Sequence, residues 1–210
     1  MELHALSLDD QYNKLIDGLY QNGYCVLDDF ISTDTCAGIL SELQKEQTEG
    51  SFHKAGVGKD AEHKIVHTIR GDYIKWLETD EAHPHTNLYL AKLQELRQVL
   101  NRQCFLGLQD IEVHMTQYPA HSGYHRHVDA FHKDDNRCIS VVLYLNFDWL
   151  ESYNGRLILY PDVTPAAPIE IYPKAGRLTL FESTLEHEVI PATQKRYSIT
   201  GWMLREKRFF

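Results

Sequence analysis

The sequence predicts a mainly β protein with flanking α-helices, in which about eight strands form a jelly-roll core, also called a double-stranded β-helix. Apolar residues recur at helical spacing in the first part of the chain, and after Gly107 the pattern changes to period two. Turns rich in Asn, Gly, Pro and Asp separate the later segments. Helices followed by a run of strands are typical of a β-rich core with helices packed outside it, and strands with long and short connections suit a jelly roll.

The length of the chain bounds its organisation. A chain of 210 residues can bury one substantial core but is too short for two large ones. We therefore predict a single domain over residues 1–210, with helical support and a lid loop in 1–105 and the jelly-roll core in 106–205. The aromatic content of 11% argues against disorder.

Net charge and cysteine spacing limit the partners and the cellular compartment that the sequence predicts. The net charge of −9 disfavours a nucleic-acid partner, because phosphate binding favours a basic surface. The four cysteines form no Cys-x-x-Cys pair and show no zinc-ligand spacing. We see no signal-peptide pattern and no stretch that approaches the ~18 apolar residues of a membrane span. We therefore expect a cytoplasmic protein with free thiols that binds neither nucleic acid nor a membrane.

Three helices are predicted in the first half of the chain. The first has Asp9 or Asp10 as its N-cap and ends at Gly23, after which residues 24–30 form a short strand. A second helix follows, and the third covers residues 87–102. The predicted buried positions of the third helix are Leu88, Ala91, Leu96, Val99 and Leu100.

The remaining segments are predicted to be loops and strands. Residues 50–64 contain three glycines and no apolar period, so they form a mobile loop that is either a lid over a site or a passive surface loop. Arg70-Gly71-Asp72 forms a tight turn before a further strand. The eight later strands are predicted at residues 111–118, 124–129, 137–146, 156–160, 169–172, 177–182, 186–190 and 196–204.

A histidine-rich stretch at residues 118–129 carries the first candidate for chemistry. His127 and Asp129 are two residues apart, so on a strand they share a face, with Cα atoms about 6–7 Å apart. An imidazole and a carboxylate in this arrangement form two corners of the 2-His-1-carboxylate triad that holds non-haem Fe(II). His187 is the candidate third ligand, because a jelly roll can fold its short strand back beside the first.

Two reservations apply to this triad. The chain contains 12 histidines, so a His-x-Asp followed later by another histidine also arises by chance. His125 shares the strand face with His127, and we interpret it as a surface or substrate-side residue rather than a ligand.

The last predicted strand offers an anion anchor. One face of this strand carries Arg196, Ser198, Thr200 and Trp202. An arginine that points into an apolar barrel needs an anionic partner, and a dicarboxylate ligand can pair with the planar guanidinium in a bidentate manner. The alternative is an internal ion pair of Arg196 with Glu182 or Glu188.

Short motifs occur in a fixed order along most of the chain. They are Arg70-Gly71-Asp72 with Trp76, Tyr118-Pro119, Gly123-Tyr124, Arg126-His127-Val128-Asp129, Arg137-Cys138, Tyr144-Leu145-Asn146, Gly155 with Leu157, His187-Glu188-Val189 with Pro191, and Arg196-Tyr197 with Ile199-Thr200 and Trp202. In this set the sequence resembles the Fe(II)- and 2-oxoglutarate-dependent prolyl 4-hydroxylases. It is most similar to the subgroup of animal hypoxia-inducible-factor prolyl hydroxylases and their bacterial relatives.

The resemblance implies a role for each matching residue. Fe(II) would be bound by His127, Asp129 and His187. The residues that it places around 2-oxoglutarate are Arg196 and Tyr144 on the distal carboxylate, Tyr118 near the metal, and Thr200 close to that pocket. The residues that it places on the substrate side are Arg137, Arg70, Asp72 and Leu157, the last as an apolar wall.

The resemblance also implies an activity. A dioxygenase of this kind uses Fe(II), 2-oxoglutarate and O2, with ascorbate as a candidate further cofactor, and hydroxylates C4 of a prolyl residue while it produces succinate and CO2. The implied partner is a proline-containing cytoplasmic protein or peptide, with a translation factor as the first candidate, because some bacterial relatives act on translation components. Residues 130–136 depart from the family pattern, so the resemblance leaves the substrate open.

Three alternatives remain. The same chemistry could act on a free amino acid or another small molecule, or the chain could be a non-catalytic sensor that binds a metal and 2-oxoglutarate. Nucleic-acid demethylation on the same scaffold is disfavoured by the net charge of −9.

Overall fold

The computed structural model of the protein describes residues 7–56, 70–77, 83–130, 136–161 and 167–206. The helices in these ranges are α1 Leu8–Asn22, α2 Thr33–Thr48 and α3 Pro84–Cys104, with a 3₁₀ turn at Glu151–Tyr153. The strands are β1 Tyr24–Leu27, β2 His53–Lys54, β3 Tyr73–Trp76, β4 Asp110–Tyr118, β5 Tyr124–His127, β6 Arg137–Tyr144, β7 Leu157–Tyr160, β8 Ile169–Ile171, β9 Leu178–Glu182, β10 Glu186–Val189 and β11 Arg196–Leu204.

The strands form two antiparallel sheets that pack against each other. The major sheet has seven strands in the order β1-β9-β6-β11-β4-β3-β2, and the minor sheet has four in the order β5-β10-β7-β8. All eight later strands predicted from the sequence are present, and their ends lie within two residues of the predicted positions. The predicted mainly β jelly roll with flanking helices is therefore confirmed.

Alternation along the strands of the major sheet separates two cores. Leu143 and Ile199 point to the outer face, where they pack with the three helices. Val142 and Tyr144 point to the inner face, where they pack with Leu159 and other apolar residues of the minor sheet. Polar side chains on the inner face consequently lie between the sheets, and the candidate site is built from them.

The first helix begins earlier than predicted. Ser7 is its N-cap, and the Ser7 side chain accepts a hydrogen bond from the backbone N–H of Asp10 at 3.2 Å. Asp9 and Asp10 lie in the first turn, where their negative charges face the helix N-terminus, so the prediction that one of them is the cap was wrong. Gly23 ends the helix in the left-handed region with φ 75°, as predicted.

The third helix buries a different face from the predicted one. Leu88 is 60% exposed and Ala91 is exposed, whereas Tyr89 and Leu93 are fully buried. Tyr89, Leu93, Leu96 and Leu100 follow one another at the three- and four-residue spacing of a single helical stripe, and Leu88 and Ala91 fall outside this stripe. The predicted burial of these two residues was therefore wrong.

Residues 57–64 of the predicted lid loop lie outside the described residues, and so do residues 65–69 and 131–135. The described end of the loop contains β2, which pairs with β3. The single-domain organisation and the division near residue 105 stay predictions. Across the described ranges, no helix combines the length and the hydropathy needed to cross a membrane.

Glu42 joins α2 to the N-terminus of α3. Its carboxylate accepts hydrogen bonds from the backbone N–H groups of His85 at 2.8 Å and Thr86 at 2.9 Å, and from the Thr86 hydroxyl at 2.7 Å. Burial raises the pKa of Glu42, but the hydrogen bonds from Thr86 and His85 together outweigh it and hold this pKa below its ordinary value. Glu42 thus replaces the side-chain cap that α3 lacks at its own N-cap residue.

We expect Glu42→Ala to lower the free energy of unfolding by about 2–3 kcal/mol, because hydrogen bonds to a charged group are worth more than neutral ones and the buried donors lose their acceptor. The depressed folded-state pKa means that the contribution of Glu42 is complete above the ordinary pKa of 4.5 and is lost as the pH falls through the folded-state value. Urea denaturation at neutral and acidic pH measures both effects.

The matched control for this prediction is Glu49→Ala. The Glu49 side chain is 54% exposed and forms only a 3.8 Å surface pair with Lys45, so its removal should change the stability by less than about 0.5 kcal/mol. Equal losses for the two variants at neutral pH would contradict the capping role of Glu42.

Candidate active site

The candidate site lies between the sheets, against the inner face of the major sheet. Antiparallel pairing aligns Arg196 of β11 with Tyr118 of β4, and aligns Ser198 with both Thr116 and Tyr144. Because alternate residues on each strand share a face, these rows point to the same side. Arg196, Thr116 and Tyr118 line a cavity of about 640 Å³ between the sheets.

Two histidines and one aspartate meet in this cavity. β10 pairs with β5 so that His187 lies directly opposite His127. Nε2 of His127 is 3.8 Å from Asp129 Oδ1, and Nε2 of His187 is 3.6 Å from Asp129 Oδ2. One ligand atom from each of the three residues lies within 4.8 Å of the others, and among the described residues no second such group of His, Cys, Asp or Glu occurs.

Backbone contacts orient both imidazoles toward Asp129. Nδ1 of His127 is 2.6 Å from the carbonyl oxygen of His125, and Nδ1 of His187 is 2.9 Å from that of Leu185. A carbonyl only accepts, so each Nδ1 carries the proton and donates it. The lone pair of each imidazole is therefore on Nε2, which faces Asp129, as a metal ligand requires.

The protonation states also suit a cation. Burial, together with the neighbouring His187, lowers the pKa of His127 to about 4, so His127 is neutral at neutral pH. Burial raises the pKa of Asp129, but His187, His127 and the hydroxyl of Ser140 outweigh it and hold this pKa below its ordinary value. A carboxylate beside two imidazole nitrogens is the donor set that Fe(II) takes in the facial triad.

The sequence argument placed Asp129 on the same strand as His127, and this detail was wrong. β5 ends at His127, and Asp129 lies in the bend that follows, where its backbone N–H donates to the carbonyl of Ser183 at 3.0 Å. The structure nevertheless brings the three predicted ligands together. His125 is exposed and lies outside the group, in line with the prediction for it.

Arg196 is a buried cation beside two tyrosines. It is 3% exposed, and its guanidinium lies 5.2 Å and 5.0 Å from the ring centres of Tyr118 and Tyr144. The alternative of an internal ion pair does not hold within the described residues, because Glu182 is exposed and Glu188 accepts a hydrogen bond from the Tyr160 hydroxyl.

Several buried polar atoms of the described inner face have no hydrogen-bond partner there. They include Nε of Arg196, the hydroxyl oxygen of Tyr144, Oγ1 of Thr116 and Thr179, and Nε1 of Trp202. Burial raises the pKa of Tyr144, so its hydroxyl remains protonated and can donate. Buried donors without acceptors are costly, and a carboxylate satisfies both a guanidinium and hydroxyls. This group of donors therefore fits a bound dicarboxylate.

The predicted substrate-side residues line the same cavity: Arg70, Asp72, Arg137 and Leu157. Arg70 donates two hydrogen bonds to the fully buried Asp72, at 2.7 and 2.9 Å, and its guanidinium lies 4.9 Å from the ring centre of Tyr124. Arg137 donates to Glu112 at 3.0 Å and lies 3.6 Å from the ring centre of Trp202. Each guanidinium is thus fixed by a carboxylate, and contact of these residues with a substrate stays a prediction.

Sequence reasoning missed His114, which stacks between two tryptophans of the cavity wall. Its ring centre is 4.9 Å from that of Trp76 and 5.5 Å from that of Trp202. Burial lowers the pKa of His114 to about 3, and the neutral ring binds the carbonyl of Thr200 through Nδ1 at 2.7 Å. The alternation of side chains along β4 could have indicated that His114 lines the cavity, because residues 114, 116 and 118 share one face of the strand.

A double β-sheet that holds two imidazoles and one carboxylate beside a buried arginine defines a class of protein, the non-haem Fe(II) oxygenases of the jelly-roll type. Comparison with known proteins agrees. Residues 113–204 match the model of the 2OG-Fe(II) oxygenase superfamily. A prolyl-4-hydroxylase structure from Pseudomonas putida has a TM-score of 0.86 and 34% identity, and covers 93% of this chain and 100% of that one. The chain therefore belongs to the prolyl 4-hydroxylase family of the 2OG-Fe(II) oxygenases.

Two further relatives are similar over almost the whole chain. A prolyl hydroxylase from Trichoplax adhaerens, solved with a peptide fragment of the hypoxia inducible factor oxygen degradation domain, has a TM-score of 0.84 and 30% identity, and covers 94% of this chain and 90% of that one. Egl nine homolog 1 of Homo sapiens is 32% identical over 95% of this chain, which spans only 47% of that relative. The chain thus covers about half the length of this curated relative. The family's cofactor and cosubstrates, Fe(II), 2-oxoglutarate and O2, are those predicted from the sequence.

Proposed function

We propose that the protein hydroxylates C4 of a prolyl residue in a protein or peptide, with 2-oxoglutarate and O2 as cosubstrates and succinate and CO2 as the other products. One observation supports this most strongly, the presence of a His-Asp-His group and an unpaired buried arginine in a single cavity. The first suits Fe(II), and the second suits the distal carboxylate of 2-oxoglutarate.

The side chains of the cavity would position Fe(II) and 2-oxoglutarate and shield them from water. His127, Asp129 and His187 would hold Fe(II), which with 2-oxoglutarate and O2 supplies the oxidising power for inserting one oxygen atom into a C–H bond while the cosubstrate loses CO2. Arg196 and Tyr144 would fix the far carboxylate, so that the other end of 2-oxoglutarate reaches the three ligands. Leu157, Phe181 and Val189 form an apolar part of the cavity wall and would help to exclude water when substrate is bound.

The substrate is proposed to be a prolyl residue of a cytoplasmic protein, with a translation factor as the first candidate. The Trichoplax relative was solved in complex with a peptide fragment, which supports a peptide as the class of substrate for this chain. In this chain Arg70 and Arg137 line the cavity, and their guanidinium N–H groups suit hydrogen bonding to peptide carbonyls.

The test compares the proteome of cells that contain the protein with that of cells that lack it, by mass spectrometry for proline that carries one added oxygen atom. The purified protein should convert the same peptide in the presence of Fe(II) and should form succinate in equal amount. Oxidation of free proline without oxidation of any peptide would favour the small-molecule alternative. Binding of Mn(II) and 2-oxoglutarate without succinate release would favour the sensor.

Thr179 gives a prediction about the proposed 2-oxoglutarate site. It is fully buried on β9, and its Oγ1 has no partner among the described residues. We expect Thr179→Val to raise the KM for 2-oxoglutarate about tenfold at little change in kcat, because a hydrogen bond to a charged group is worth about 1.5–3 kcal/mol. Thr179→Ser keeps the hydroxyl and should behave as the parent. Calorimetry with 2-oxoglutarate in the presence of Mn(II) measures the same difference directly, and equal affinities for valine and serine variants would contradict the contact.

A further inference from the structure

Asp129 is held by two buried serines that no sequence motif indicated. Ser140 on β6 and Ser183, just after β9, are each 1% exposed. Ser140 Oγ is 2.7 Å from Asp129 Oδ2 and 2.9 Å from Ser183 Oγ. An ionised carboxylate only accepts, so Ser140 donates its single proton to Asp129 and accepts the proton of Ser183. The two hydroxyls thus form a directed chain that ends on the carboxylate.

Ser183 also forms hydrogen bonds with the backbone of the bend that contains Asp129. Its carbonyl accepts the N–H of Asp129 at 3.0 Å and the N–H of Ala130 at 2.9 Å, and its own N–H donates to the carbonyl of Cys138 at 3.0 Å. Ser183 therefore fixes the backbone of Asp129, and Ser140 fixes its carboxylate. We call Ser140 and Ser183 together the serine clamp.

The position of Asp129 explains why a clamp is needed. β5 ends at His127, so no strand ladder holds Asp129, and its carboxylate depends for its orientation on side-chain groups such as the Ser140 hydroxyl and the neighbouring indole of Trp202. A carboxylate that can rotate about its side-chain torsions would turn away from the two imidazoles, which are themselves fixed by backbone carbonyls. With Oδ2 held by Ser140, Oδ1 remains directed toward Nε2 of His127.

We infer that the serine clamp consists of positioning residues that keep Asp129 in its metal-binding orientation and so set the metal affinity of the site. The inference rests on the proposed function only through the role of Asp129 as a ligand, and it is independent of the identity of the substrate. Hydrogen-bond partners of metal ligands are known to set metal affinity, and their loss weakens binding about 10–100-fold.

The experiment measures the affinity for Mn(II) alone, by electron paramagnetic resonance of the free ion, in the parent and in clamp variants. Ser140→Ala should weaken Mn(II) binding about 10–100-fold. Ser183→Ala should weaken it less, because Ser140 can still donate to Asp129. Ser140→Thr retains a hydroxyl and should restore binding. The absorption spectrum of bound Co(II) should change in Ser140→Ala and return in Ser140→Thr, which a general loss of stability would not produce.

Ser32→Ala serves as the matched control. Ser32 caps α2 and accepts a hydrogen bond from the backbone N–H of Thr35 at 3.1 Å, far from the cavity, so its removal should lower stability and leave Mn(II) affinity unchanged. Ser140→Ala with the Mn(II) affinity of the parent would overturn the inference, and if that variant does not fold, parent-like affinity in Ser183→Ala would do the same. If clamp variants bind Mn(II) weakly but no peptide is hydroxylated by the parent, the clamp stands and only the proposed function fails.

Discussion

Replacing His187 with alanine is expected to weaken metal binding strongly and to abolish 2-oxoglutarate turnover. His187 is 5% exposed, lies opposite His127 in the sheet and contacts the ring of Phe181 at 4.7 Å, so no solvent ligand reaches its position easily. The binding free energy of a four-ligand zinc site is about 10–16 kcal/mol, or on the order of 3–4 kcal/mol for each ligand. Loss of one ligand should therefore weaken metal binding about 10²–10³-fold. His127→Ala and Asp129→Ala should give losses of the same size.

The control for this prediction is His125→Ala. His125 is two residues from His127, on the same strand, and is exposed outside the ligand group. Its removal should leave Mn(II) affinity and succinate formation as in the parent. The measurement is Mn(II) affinity by titration, together with 2-oxoglutarate turnover at saturating Fe(II). Retained turnover in His127→Ala with lost turnover in His125→Ala would overturn the assignment of the triad.

The parts of the site that the sequence predicted are those governed by strand parity. β11 is nine residues long and regular, so Arg196, Thr200 and Trp202 fall on one face and line the cavity as predicted. Asp129 lies beside its predicted neighbours for a different reason. β5 ends before it, and the bend that contains it is held by a backbone hydrogen bond to Ser183. Parity predicts a face only for residues that are inside a strand.

The parts that the sequence could not predict depend on which strands become neighbours. Ser140 and Ser183 are 43 residues apart, and neither belongs to a motif or shares a strand with Asp129. Their contact exists because β6 and β9 pair with Ser140 opposite Phe181, two residues before Ser183. Thr179 likewise lies beside Tyr144 only because β9 pairs with β6 in the major sheet. Such contacts follow from tertiary pairing and not from local pattern.

The second large effect is expected at Arg196, because no carboxylate among the described residues of the inner face pairs with its guanidinium. Truncating one member of a buried charge pair costs about 2–5 kcal/mol, so Arg196→Met should raise the KM for 2-oxoglutarate by roughly 30- to 4000-fold. Arg196→Lys keeps the charge but loses the bidentate geometry, and it should fall between the parent and the methionine variant. Mn(II) affinity should stay unchanged in both, because Arg196 is not one of the three grouped ligands.

Arg126→Ala is the matched control. It tests whether the raised KM of Arg196→Met requires removal of the buried charge at position 196 rather than removal of any arginine. Arg126 is 50% exposed and pairs with Glu186 on the surface of the minor sheet, so its removal should leave the KM for 2-oxoglutarate as in the parent. Calorimetry of 2-oxoglutarate binding to the Mn(II) protein separates affinity from turnover. If Arg196→Met bound 2-oxoglutarate as tightly as Arg126→Ala, the unpaired polar atoms of the inner face would need another ligand, and the cavity would no longer support a 2-oxoglutarate site. A large loss confined to Arg196→Met would instead tie the buried guanidinium to the dicarboxylate, because only this substitution removes the buried cation beside Tyr118 and Tyr144.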